Sequence, residues 1–253
     1  MKSFIKVNIF KSKSSGGLFG RDLRKIDPKF LKLGIPFFMW EIGQCVLLTP
    51  KEGVFRVTGD VSVVSKMKKE IVKHNDVTFK TKYKKDIHSM VAVISTFLRE
   101  LPTPILSNSN RTMFSSIITR FHCVSDLPKT VVALTLALST LDKTNRKYLL
   151  FLLNMYYTLC ANDTSGTVNF FNTATCVAPS FFSQRYSTMS AMSYTIESQV
   201  LIISTLISMY PLLSFQFEES HEVLCTKYNI SQEQYETFLA YPESYNLGNI
   251  HFS

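Results

Sequence analysis

One arginine in this sequence stands in a setting that could support chemistry on an anion. Arg56 lies at the centre of the segment GVFRVTG, between Gly53 and Gly59. A guanidinium keeps its charge and can donate two hydrogen bonds to neighbouring oxyanion atoms. Glycine permits the tight turns that push an intervening side chain outward. The segment predicts an exposed loop arginine that is able to bind an anion, and the alternative is an ordinary solvated arginine.

A complete active site of the chain's own is not visible. The sequence has no GxxxxGK[ST] phosphate loop, no GxGxxG, HExxH or GxSxG motif, and no close cysteine pair. Its five histidines are scattered, and its five cysteines are too widely spaced for a disulfide framework or a zinc pattern. We therefore expect no self-contained enzyme, no metal site and no cofactor of its own.

The elements that must position Arg56 are helices. Apolar residues recur every three or four positions behind Pro36, after Asp60 or Ser62, and from Asp86 as far as Pro102. Arg56 then falls in a short extended segment between two helices. Further helical stretches are expected at residues 111–123, 129–141, 144–161, 167–176 and 195–209. Strand-like alternation is scarce, so the fold class is all-α.

The two ends of the chain differ from the middle. Residues 1–17 suggest a flexible or strand-like lead-in, and residues 18–213 form the main domain. Residues 214–253 form an acidic extension in which Ser231 and Gln234 make a capping box for a short helix. The apolar stretch 200–213 is shorter than the roughly 20 residues of a membrane span, so it is expected to be a core helix.

Three segments in order resemble the RhoGAP domain family. They are GVFRVTG at residues 53–59, FLRELP at 97–102 and NTATCVAP at 172–179. Between the last two, LDKTN at 141–145 with its spaced leucines matches the family's LPxxN helix, and Phe19, Gly20, Ile35 and Pro36 match its opening. The resemblance covers residues 18–213 and implies a RhoGAP-like bundle of about eight to nine helices.

The resemblance also implies roles for particular residues. Arg56 would be an arginine finger, supplied in trans to a Rho-family small GTPase in its GTP-bound state, which itself brings GTP and Mg²⁺. Gly53, Gly59, Arg99 and Asn172 would support the finger loop. For Arg99 the alternative is an ion pair with Glu100 or another neighbour, and for Asn172 it is a structural hydrogen bond.

Two positions depart from the family pattern. Ser95 stands where the family often has a lysine, and Ser180 stands where it often has an asparagine. Both family positions contact the GTPase or stabilise the finger loop. The departures could weaken docking or change the choice of GTPase, but they leave the finger in place.

The positive charge is concentrated near the finger. Residues 1–100 hold 20 Lys and Arg against 9 Asp and Glu. Lysines follow the finger directly, and Lys66 and Lys69 among them are candidates for GTPase docking. The cluster could also touch an anionic membrane or be a solvated helix face. It comprises Lys66, Lys68, Lys69, Lys73, Lys80, Lys82, Lys84 and Lys85.

The expected function is GTPase activation in small-GTPase signalling and actin regulation, in the cytoplasm, with membrane recruitment alongside the GTPase. One alternative is a module of the same fold that binds a GTPase without accelerating hydrolysis. Another is a basic membrane-surface binder. Nucleic acid is disfavoured because few aromatic residues accompany the lysines.

Overall fold

The computed structural model describes residues 18–48, 53–73, 82–83, 85–120, 127–163, 168–182 and 189–214, together with Ser231 and Glu233. Two short strands, β1 (Leu31–Lys32) and β2 (Ile35–Pro36), pair as an antiparallel hairpin. The first helices are α1 (Phe37–Leu48), α2 (Val61–Lys73), α3 (Ile87–Arg99) and α4 (Asn108–Arg120). They are followed by α5 (Leu127–Ser139), α6 (Lys143–Ala161), α7 (Phe170–Val177), α8 (Met189–Ser208) and α9 (Tyr210–Ser214). The all-α prediction is confirmed for this part of the chain.

Helix α6 lies at the centre of the bundle and contacts α1, α7, α8 and α9. Its inward face holds Leu149, Leu152 and Leu153, all fully buried, as expected from their spacing. The same core includes Phe19, which precedes the hairpin and whose ring lies 5.6 Å from that of Phe38 in α1 and 5.7 Å from that of Phe97 in α3. Helix α2, which follows the Arg56 loop, packs on α3 and so joins the same bundle.

Helix α8 continues into the short helix α9, and Ile203 and Leu206 of α8 are fully buried. The expectation of a core helix at residues 200–213 therefore agrees with the structure. No helix in the described ranges combines the length and the apolar character that crossing a bilayer requires.

Several helix starts differ from the sequence expectation. Helix α4 begins three residues early because Ser107 and Asn110 cap each other: Asn110 N donates to Ser107 Oγ at 3.1 Å, and Ser107 N donates to Asn110 Oδ1 at 2.9 Å. Helix α3 begins directly after Asp86, as expected, although the Asp86 side chain makes no capping hydrogen bond. Pro36 pairs in the hairpin, so α1 begins at Phe37. Capping by Ser107 and pairing of Pro36 in the hairpin therefore set helix starts that the spacing of apolar residues did not predict.

The expected lead-in at residues 1–17 lies outside the described residues, and so does most of the extension 214–253 with its short helix. The domain boundaries at 17/18 and 213/214 stay predictions.

Candidate functional site

The Arg56 loop is a turn, and the prediction of an extended segment was wrong. Gly53 has a φ of +65°, in the left-handed region that side chains disfavour. Its carbonyl accepts hydrogen bonds from both Arg56 N and Val57 N, each at 2.9 Å. The chain therefore reverses at Gly53 and brings Arg56 to the outside of the turn.

The first half of the loop is anchored in the core. Val54 is buried, and the ring of Phe55 meets that of Tyr156 edge to face at 5.1 Å. Tyr156 in turn packs against Phe181, which follows α7. Two apolar anchors immediately before Arg56 restrict the loop to one position relative to α6 and α7.

The second half of the loop is pressed against α3. A Cβ atom at Gly59 would lie 2.6 Å from Ser89 Cα and 3.0 Å from His88 O, so only glycine allows this approach. Asp60 N donates to Ser89 Oγ at 3.1 Å. The loop is thus held on both sides, and only residues 56–58 between the two anchors are exposed.

Asp60 also caps the start of α2, so the helix opens after Asp60 rather than after Ser62. Its carboxylate accepts hydrogen bonds from Ser62 N at 2.7 Å and Val63 N at 3.2 Å. The hydrogen bond from the Ser62 hydroxyl, followed by these two backbone bonds, holds the pKa of Asp60 below its ordinary value. The finger loop therefore ends in a charged helix cap.

Arg56 is exposed and borders an open groove of about 530 Å³, which we call the finger groove. Its opposite wall is α7, which contributes Phe171, Asn172 and Cys176. Burial raises the pKa of the Cys176 thiol, and the nearby Arg56 charge opposes part of that rise. Across the described ranges, no carboxylate pairs with Arg56. Its guanidinium is available to an external anion.

A second groove of about 450 Å³ lies between α2 and α3, beside Gly59. Val61, Val64 and Ala92 supply apolar surface, while Lys69 and Arg99 supply positive charge. Arg99 is exposed and donates from Nε to Ser95 O at 3.2 Å. Its supporting role in the loop stays a prediction.

The ion pair expected as the alternative for Arg99 is made by another residue. Lys68 of α2 pairs with Glu100, and its ammonium also lies 4.8 Å from the centre of the Phe19 ring. The ion pair connects α2 to the end of α3, and the ring contact connects α2 to Phe19 in the segment before the hairpin. Proximity in the sequence suggested that Arg99 pairs with Glu100. The packing of α2 against α3 instead brings Lys68 to the Glu100 carboxylate.

The remaining predicted residues are divided between the two grooves and the core. Asn172 is exposed in the finger groove, and its backbone N–H donates to the Asn169 side chain at 2.8 Å. Ser95 is half-buried and supplies the carbonyl that Arg99 binds. Ser180 is buried, with 6% of its surface exposed, because it lies in the turn that packs α7 onto α8. A contribution of Ser180 to GTPase docking stays a prediction.

Two lysines of the cluster are engaged in ion pairs. Lys68 and Lys82 are paired with Glu100 and Glu70 respectively. Lys66 and Lys69, together with Lys73, are exposed on α2. Lys80 and Lys84 lie outside the described residues. The candidates for docking thus include the exposed α2 lysines.

Exposed apolar residues around the finger were not predicted from the sequence. Val57 is 47% exposed, Val61 79% and Phe171 62%. No sequence signal separated Phe171 from Phe170, which stacks on Tyr157 in the bundle. These side chains place apolar surface on both sides of Arg56.

Comparison with known proteins supports one assignment. A sequence model of the RhoGAP domain matches residues 36–186. The chain is 26% identical over 199 residues to Rho GTPase-activating protein gacII of Dictyostelium discoideum, covering 75% of this chain and 23% of that protein. It is 29% identical over 181 residues to mouse Rho GTPase-activating protein 28, covering 67% and 24%. The chain thus spans about a quarter of the length of these relatives.

Solved structures show the same fold. Human Rho GTPase activating protein 15 superposes with a TM-score of 0.68 at 18% identity, covering 84% of this chain and 99% of that one. The BH domain from GRAF, the GTPase regulator associated with focal adhesion kinase, has a TM-score of 0.56 at 18% identity and covers 70% and 93%. With the helical architecture and the family match over more than half its length, the chain belongs to the RhoGAP domain family.

Proposed function

We propose that this chain accelerates GTP hydrolysis by a Rho-family small GTPase and that Arg56 enters the partner's active site. The observation that carries the proposal is the geometry of Arg56. Its side chain is exposed on a turn anchored by Phe55 on one side and Gly59 on the other. Membership in the RhoGAP family and the names of the two curated relatives support the choice of partner.

The mechanism follows from how charge develops during phosphoryl transfer. Negative charge spreads over the oxygens of the transferring group, and a guanidinium can donate to two of them while remaining charged. The GTPase supplies GTP, Mg²⁺ and the group that orients water. A finger delivered in trans contributes about 10³ to 10⁵ in rate, which corresponds to about 4–7 kcal/mol.

The anchored loop lowers the entropic cost of this contact. A flexible arginine would lose backbone and side-chain freedom on entering the partner, whereas the turn at Gly53 and the packing of Phe55 have already restricted the backbone. Because no acidic side chain in the described ranges holds Arg56, the guanidinium need not leave an ion pair before it binds phosphate oxygens. The loop is therefore prepared for insertion.

The surface around the loop suits a partner with apolar and acidic groups. Val57, Val61 and Phe171 surround the finger with exposed apolar area. Lys66 and Lys69 add positive charge on α2, which would attract an acidic surface of the GTPase. Location in the cytoplasm, recruitment to a membrane with the GTPase and a role in actin regulation would follow from such a partner.

The test is single-turnover GTP hydrolysis by Rho-, Rac- and Ras-like GTPases, with and without this protein. We expect stimulation of Rho-family members that Arg56→Ala abolishes. Arg56→Lys should lose most of it, because an ammonium keeps the charge but not the planar pair of donors. Arg120→Ala is the matched control, since Arg120 is an exposed arginine on α4 outside both grooves. Full stimulation by Arg56→Ala would refute the finger.

A non-catalytic module is the second candidate, favoured by Ser95 and Ser180 at positions where the family often has a lysine and an asparagine. Such a module would bind the GTP-bound GTPase without changing its hydrolysis rate. Binding measured on the GTP-bound and GDP-bound partner, beside the hydrolysis assay, separates the two functions. Tight, nucleotide-dependent binding with no stimulation by the wild-type protein would select this candidate.

A further inference from the structure

The turn between β1 and β2 breaks a local rule of hairpin chemistry. Lys32 pairs with Ile35, so Leu33 and Gly34 form a two-residue loop with φ values of +51° and +74°. Such loops favour Asn-Gly or Asp-Gly because both residues take the left-handed conformation. Leucine is unfavourable there, and Leu33 is the one described non-glycine residue with a positive φ. A leucine held in this conformation suggests that its side chain has a use.

Leu33 is also 73% exposed, and the residues beside it are cationic. The Lys147 side chain of α6 lies across the turn, with Nζ 2.9 Å from the position a Cβ would take on Gly34. Lys32 lies on the other side, 5.8 Å from the centre of the Trp40 ring. Within the described residues neither lysine has an ion pair. The result is one exposed apolar tip beside two ammonium groups that have no ion pair among the described residues, and the Lys32 ammonium lies over the rings of Phe37 and Trp40.

We propose that this hairpin tip, comprising Lys32, Leu33, Gly34 and Lys147, docks on an anionic membrane surface. Leu33 would enter the apolar side of the interface, while Lys32 and Lys147 would bind anionic lipid headgroups. Charge complementarity favours this occupant. The exposed Leu33 side chain stands beside two cationic side chains, which suits a headgroup layer better than an apolar protein pocket.

The position of the tip leaves the finger accessible. The hairpin leads into the first residue of α1, whereas Gly53 follows beyond the last, and a helix of 12 residues spans about 18 Å. Lipid contact at the hairpin and GTPase contact at Arg56 would therefore use separate surfaces. The docking surface does not include the lysines of α2, so it differs from the lysine cluster that follows the finger.

The single tryptophan of the chain reports on this site. Trp40 Nε1 donates to Lys32 O at 2.9 Å, which places the indole directly behind the hairpin. The experiment mixes the full chain with vesicles of phosphatidylcholine and phosphatidylserine in a two-to-one ratio, carrying bromine on the acyl chains near the headgroups. We expect quenching of Trp40 fluorescence that is absent with pure phosphatidylcholine and weakens steeply with added salt.

Substitution of Leu33 separates docking from general charge attraction. Leu33→Asn keeps every charge and suits the left-handed turn, so it should unfold at a higher temperature than the wild type while binding the vesicles about tenfold more weakly. Leu48→Asn is the matched control, because Leu48 is 82% exposed at the other end of α1. It should bind like the wild type.

The charge contribution is tested with two double variants of equal net charge. Lys32→Gln with Lys147→Gln should lower vesicle affinity about fivefold per lysine, whereas Lys66→Gln with Lys69→Gln should change it little. The proposal is overturned by equal loss in both doubles, by wild-type affinity of Leu33→Asn, or by unquenched Trp40 with bound vesicles. It is overturned equally by no binding at all. No GTPase is present, so these outcomes are independent of the finger.

Discussion

Gly59→Ala should loosen the finger loop from α3. The added Cβ would lie 2.6 Å from Ser89 Cα, 3.0 Å from Ala92 Cβ and 3.0 Å from His88 O. Two of these atoms belong to the helix backbone, so no side-chain rotation relieves the clash. The loop and α3 must separate by about 1 Å to restore ordinary carbon contacts.

The expected magnitude has two parts. Inserting a methyl group into a packed contact costs about 1–3 kcal/mol. A shift of this size would also stretch the 3.1 Å hydrogen bond from Asp60 N to Ser89 Oγ beyond bonding range, which costs about 1 kcal/mol more. We therefore expect a loss of about 2–4 kcal/mol in the free energy of unfolding.

The assays are urea unfolding and single-turnover GTP hydrolysis, the second under conditions where the variant remains folded. The rate of GTP hydrolysis stimulated by the variant should fall at least tenfold. A displacement of about 1 Å at a catalytic group can lower a rate by about 100-fold. Gly43→Ala is the matched control: its Cβ would lie 3.4 Å from Met155 Sδ, inside helix α1, where alanine is favoured over glycine. If Gly59→Ala were as stable and as active as Gly43→Ala, the account of the loop would be refuted.

Two further predictions concern the anchors of the loop. Phe55→Ala removes the edge-to-face contact with Tyr156 and should cost about 2 kcal/mol of unfolding free energy, with a larger proportional loss of GTPase stimulation than of GTPase binding; equal stimulation would contradict the anchor. For Asp60, whose pKa lies below its ordinary value of 3.8, the charged cap stabilises the fold above that value, and this contribution is lost as pH falls through the lowered pKa. Asp60→Asn keeps a capping oxygen without the charge. Its free energy of unfolding relative to the wild type, measured by urea titration, should therefore rise as pH falls through that range. A difference in unfolding free energy that does not change with pH would contradict this role of the Asp60 charge.

Much of the fold was accessible from local patterns. The buried leucines of α6 recur with helical spacing, and Pro102 marks the end of the helical region that contains α3, because proline disfavours helical geometry in the residue before it. The hairpin was missed because each strand has only two residues, too few for alternation to be visible. Helix starts were displaced where side chains such as Ser107 satisfied the first backbone N–H groups.

The sequence by itself determined the helical class, the family resemblance and the single arginine between two glycines, because these depend on residue type and short-range spacing. Only the tertiary structure decided what surrounds that arginine. The wall formed by Asn172 and Cys176, the burial of Ser180 and the pairing of Lys68 with Glu100 join residues far apart in the chain. Such contacts depend on which helix faces pack together, and local spacing carries no information about the neighbour across a groove.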